Sequence, residues 1–81
     1  MDRTILDPSL ELEHLQLANR HVAEGHERIE RQRQIVARLQ KVGGETDQAL
    51  ILLHEFEQTQ ALHVQSRNLI LSNLGMPPQS D

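Results

Sequence analysis

At 81 residues the chain has room for one domain, 1–81, and with no cysteine and a single aromatic residue, Phe56, it excludes a disulfide scaffold, a cysteine zinc cluster and an aromatic core. A formal net charge of -4 argues against general attraction to nucleic acid or an anionic membrane. Chains this short bury only about 60% of their unfolded surface, so a two-helix monomer is marginal and self-association is expected.

Met1 to Asp7 carries one arginine and two aspartates with no apolar run behind it. That reads as neither a secretory signal nor a membrane span, and the expectation is a cytoplasmic protein. Asp7-Pro8 is a helix start, because aspartate accepts from exposed amide groups and proline suits the first helical position. Glu11 and Glu13 then favour the positive end of the helix dipole. Leu15, Ala18, Val22, Gly25, Ile29, Gln32, Val36 and Leu39 follow at spacings of three and four, which is a coiled-coil seam. The first helix is expected over about 8–42, roughly 50 Å long. Gly25 within it costs roughly 1 kcal/mol relative to alanine, so it implies a close helix approach, or else a hinge or space for a ligand.

Val42-Gly43-Gly44-Glu45-Thr46 breaks the pattern. Two glycines remove the Cβ penalty for left-handed backbone angles, and the Thr46 hydroxyl is expected to cap the next helix. The turn is placed at 43–45, the second helix at about 46–74 and a flexible tail at 75–81, where Gly75 and Pro77-Pro78 stop the helix. Leu52, Phe56, Thr59, His63, Ser66, Ile70 and Leu74 fall on one line, flanked by Leu53 and Leu71 on one side and Ile51, Leu62 and Leu69 on the other. This apolar arc spans about 200°, twice what a globular helix needs, so one partner helix cannot cover it. The fold class that follows is all-α: a long antiparallel helical hairpin dimerising into a four-helix bundle.

Closing the hairpin at Gly43-Gly44 puts position i of the first helix level with roughly 87 minus i of the second. Gly25 is then expected beside Leu62, His21 near Ser66, and Arg31 and Arg33 near Glu57 and His54. His21, Glu24, His63, Ser66 and Arg67 form a candidate polar layer, either a hydrogen-bond network that sets register or a ligand site. A metal site would need two imidazoles and a carboxylate to converge, as borderline metals prefer. Glu11-Leu12-Glu13-His14 has the Glu-x-x-His spacing of carboxylate-bridged dimetal bundles, but it occurs once and nothing obvious supplies the remaining ligands.

Arg28, Arg31, Arg33, Arg38 and Lys41 face the single Glu30 along one stretch of the first helix. They serve either cross-helix pairing with Glu45, Asp47, Glu55 and Glu57 or a phosphate-binding face for RNA. His54-Glu55 resembles the phospho-acceptor pair of sensor histidine kinases over those two residues only, and Phe56-Glu57-Gln58-Thr59 does not continue that family's pattern.

Arg20-His21-Val22-Ala23-Glu24-Gly25, Arg31-Gln32-Arg33-Gln34-Ile35-Val36, Thr46, Leu52-Leu53, Phe56-Glu57, Thr59, His63 and Arg67 resemble a group of short bacterial helical-hairpin proteins. The resemblance runs over about residues 12–74. It implies a stand-alone helical hairpin and brings no activity, cofactor or catalytic residue with it. The function expected is a non-enzymatic homodimeric interaction or regulatory module, with no cofactor, that docks on another protein. RNA binding through the basic stretch and metal binding through the histidines are the alternatives.

Overall fold

The computed structural model describes residues 8–80; the helix start expected at Asp7 lies outside them. Two helices, α1 (Pro8–Val42) and α2 (Asp47–Asn73), run antiparallel along nearly their whole length. The result is a rod of 63 × 17 × 15 Å. Its radius of gyration is 17.2 Å, against about 12 Å for a compact chain of this length.

The α1 seam is buried or half-buried at every expected position, from Leu15 through Ala18, Val22, Gly25, Ile29, Gln32 and Val36 to Leu39. Spacings of three and four put these residues on one stripe, and α2 covers that stripe. The line on α2 differs from expectation. It runs through Ala49, Leu53, Phe56, Gln60, His63, Arg67, Leu71 and Leu74, about 60° round the helix from the Leu52 line at 100° per residue. The centre of an apolar arc coincides with the helix contact only when one neighbour covers the whole arc. Here α1 covers one side of it, and the other side stays open.

Both helices stop through the same device. Gly43 has φ +76°, with Gly43 N–H donating to Gln40 O at 3.4 Å and Gly44 N–H to Leu39 O at 2.8 Å. Gly75, at φ +75°, repeats it with bonds to Ser72 O at 3.0 Å and from Met76 to Leu71 O at 2.8 Å. Each is a Schellman reversal, which satisfies carbonyls the helix end would otherwise leave open. Of the two hairpin glycines only Gly43 has a left-handed φ; Gly44 lies against the Leu39 side chain.

Thr46 occupies the N-cap position of α2 without its hydroxyl making a cap bond. Its φ of -109° and ψ of -9° are not the extended backbone from which a capping side chain folds back. The contribution of Thr46 is its carbonyl, which accepts from Leu50 N–H at 2.9 Å.

The reversal also corrects the register. Gly44 already runs back beside Leu39, so α2 begins below the end of α1 rather than level with it. Opposed residues sum to about 84 or 85: His21 meets His63, Arg28 meets Phe56 and Gly25 meets Gln60. Gly25 is therefore not beside Leu62, nor does His21 pair with Ser66.

Candidate functional site

The middle of the hairpin brings together Gly25, Gln60, His21, His63, Arg28 and Phe56. Gly25 leaves a notch on α1, and the Gln60 carboxamide fills it: a Cβ at Gly25 would overlap Gln60 Oε1 and come within 2.9 Å of its Cδ. From there Gln60 Nε2 donates to Val22 O at 2.8 Å. One heptad away, Gln32 Nε2 donates to Ala49 O at 3.0 Å. Each helix thus sends one glutamine to a carbonyl of the other, and these bonds hold only in this register.

His21 and His63 lie beside this notch with ring centroids 5.3 Å apart and planes inclined at 44°. One turn toward the hairpin tip, the Arg28 guanidinium sits over the Phe56 ring at 5.7 Å, within the range of a cation–π contact. Gly25, Arg28, Phe56, Thr59, Gln60 and His63 enclose an open groove of about 170 Å3. Glu24 and Ser66, expected in the polar layer, are exposed, each three residues along its helix from one of the histidines.

Arg67 belongs elsewhere. It is 3% exposed, and its Nη2 donates to Gln79 O at 2.9 Å. Asn68 completes a clasp, donating through Nδ2 to the same oxygen at 2.9 Å and accepting from Gln79 N–H at 3.0 Å. The segment after Gly75, expected to be flexible, is folded back on α2 by these bonds. Among the described residues, Gln60 Oε1 and Arg67 Nε are buried side-chain atoms without a hydrogen-bond partner.

The five basic residues do not share one face. Arg28 lies on the flank with Phe56 and His63, whereas Arg33 lies on the opposite flank between Glu30 at 3.8 Å and Glu57 at 3.6 Å. At 100° per residue Arg31, Arg38 and Lys41 project from the outer side of α1. Arg33 therefore takes the cross-helix pairing, although at roughly half exposure such pairs contribute little. His14 Nδ1 and Glu11 Oε1 are 3.8 Å apart, so the Glu-x-x-His spacing does align the two side chains. Glu11 also accepts from Asn73 Nδ2 at 3.5 Å. Within one chain, and among the described residues, no group of three or more histidine or carboxylate side chains is placed to hold a metal. Nor is any helix there long and apolar enough to cross a membrane.

Sequence reasoning missed Gln60. The signal was present: a polar residue at helical spacing between Phe56 and His63, opposite a mid-helix glycine that needed filling. No protein-family model, curated protein or solved structure matches the chain, so the reading of function rests on these residues alone.

Proposed function

We propose that the chain is a non-enzymatic interaction module that pairs with a second copy of itself into a four-helix bundle, and presents its polar outer side to another protein. The observation that carries this reading is an uncovered apolar flank. Leu10, Leu17 and Ile35 follow the helical spacing of His21 and Arg28 on α1, and Leu52, Leu62 and Leu69 line the same flank of α2. All six are exposed, Leu62 at 62% and Leu69 at 64%.

Two magnitudes support it. The chain exposes 6118 Å2, whereas a compact protein of 9.3 kDa exposes about 5,000 Å2. The excess is of the order of the roughly 800 Å2 that each partner contributes to a standard interface. Among the described residues, moreover, only Ala18, Val22, Ile29, Val36 and Leu71 are buried apolar side chains. At about 1.5–3 kcal/mol for each large one, that core is thin beside the cost of ordering two long helices.

Sedimentation equilibrium across a concentration series tests the reading. The expected species has twice the chain mass, and Leu62→Glu with Leu69→Glu drives it to single chains with loss of helix content. A wild-type protein that stays monomeric, helical and cooperatively folded at all concentrations would end the proposal.

A further inference from the structure

We propose that His21 and His63 of one chain, together with the same two residues of a second copy, form a four-imidazole site for a divalent metal of the zinc class at the centre of the bundle. This rests on the dimer reading above, because one chain brings only two of the ligands together.

The first support is the geometry of the pair. Two imidazoles bound to one tetrahedral metal at about 2.0–2.1 Å have ring centroids about 5 Å apart. His21 and His63 stand at 5.3 Å with the rings tilted rather than stacked. Imidazole is a good ligand for zinc, copper and nickel, and four nitrogen ligands complete the tetrahedral shell zinc takes in structural sites. Ligating histidines need a partner for the second ring nitrogen. Glu24 and Ser66, three residues along from His21 and His63, share the flank and can supply one. Two copies of Glu24 also oppose the charge of the ion.

The second support is how a copy fits the flank. Heights along the rod follow from about 1.5 Å per residue, counted from the histidine layer. Leu17 and Leu69 lie about 6 and 9 Å toward the open end on this scale. Toward the turn, Arg28 lies about 10 Å away and Glu55 about 12 Å. Further on come Leu52 at about 16 Å and Ile35 at about 21 Å. Glu55, Ile51 and Leu52 line one groove of about 340 Å3 on this side of α2.

A copy related by a two-fold axis along the rod, with its turn at the same end, lays α1 against the partner's α2. Leu17 then meets the partner's Leu69, Arg28 meets the partner's Glu55, and Ile35 meets the partner's Leu52. All four histidines fall at one height. With the turns at opposite ends and the axis through the histidine layer, α1 would lie against the partner's α1, which sets Arg28 level with the partner's His14 instead of Glu55. The leucine and charge matches therefore favour the arrangement with both turns at one end, in which the four imidazoles share one height.

The test uses untagged, chelator-stripped full-length protein titrated with cobalt(II) and zinc(II), followed by visible absorption and sedimentation. The expected result is one metal per two chains, the intense visible bands of tetrahedral cobalt, and a dimer tightened by about tenfold or more, since the ion binds only the associated state. His21→Ala and His63→Ala each abolish the bands and the tightening, whereas His14→Ala and His26→Ala keep both. Circular dichroism checks that the variants remain helical. A dimer whose strength is unchanged by metal overturns the site and leaves the dimer standing. One metal per chain without association also overturns it, as does binding that survives His21→Ala. Single chains both with and without metal overturn the dimer reading itself.

Discussion

Gln60 occupies the volume that a side chain at Gly25 would need: a Cβ there would overlap its Oε1, and the same carboxamide donates to Val22 O at 2.8 Å. Glycine in mid-helix is thereby explained as a seat for a side chain of the opposite helix. Gly25→Ala gains about 1 kcal/mol of helix propensity. It also expels a buried amide and breaks its hydrogen bond, for a net loss of about 1–2 kcal/mol. Denaturant unfolding should show that loss, and Gly25→Ala with Gln60→Ala should recover most of it, because two methyl-sized side chains share the notch. If Gly25→Ala alone stabilises, the two residues are not coupled.

The glutamine pair acts as a register lock. Gln32 and Gln60 each cross the interface to a backbone carbonyl, at 3.0 and 2.8 Å. Replacing both by leucine adds apolar area at the seam and should leave the midpoint of unfolding equal or higher. Uniqueness should suffer instead, since the leucines fit several offsets where the amides fit one. The expected NMR spectrum shows extra or broadened amide peaks along both helices; a single sharp set would show that the leucine pair still holds one register.

The two hairpin glycines should behave differently. Gly43 has φ +76° with open space where a Cβ would go, whereas Gly44 lacks a positive φ and a Cβ there would come closest to the movable Leu39 Cδ2, at 3.1 Å. Gly43→Ala should therefore cost about 1 kcal/mol through backbone strain alone. Gly44→Ala should lie within about 0.5 kcal/mol of wild type. Thermal melts of the two single variants under one condition decide it, and equal losses would contradict the reversal described.

The clasp on the C-terminal segment is local. Gln79 N–H donates to Asn68 Oδ1 at 3.0 Å, and Gln79 O accepts from Asn68 and Arg67, both at 2.9 Å. Asn68→Ala should speed amide exchange at Gln79 by about tenfold while amides at the centre of α2 exchange as before, because local opening is separable from global unfolding. Exchange at Gln79 already as fast as in an unstructured peptide would remove the clasp.

Much of the architecture was legible in the residues. Spacings of three and four from Leu15 to Leu39 named the α1 seam position by position, and Gly43 and Gly75 marked where both helices end. These features are local: periodicity places side chains on a face, and glycine alone takes a left-handed φ without penalty. Cross-helix pairing of the basic stretch was also legible, but hairpin geometry set Arg33 beside His54, whereas it pairs with Glu57.

What the sequence could not decide was how far α2 turns about its own axis and how far it slides along α1. Its apolar arc is wide enough to accept many rotations, and pattern alone favoured the Leu52 line. The choice was made by contacts between residues far apart in the chain: Gln60 seated on Gly25, Gly44 folded under Leu39, and His63 brought to His21 instead of Ser66. Those contacts depend on shape and on the heights of two separate elements, quantities that no local spacing encodes. The same rotation that buries Arg67 leaves Leu62 and Leu69 in the open.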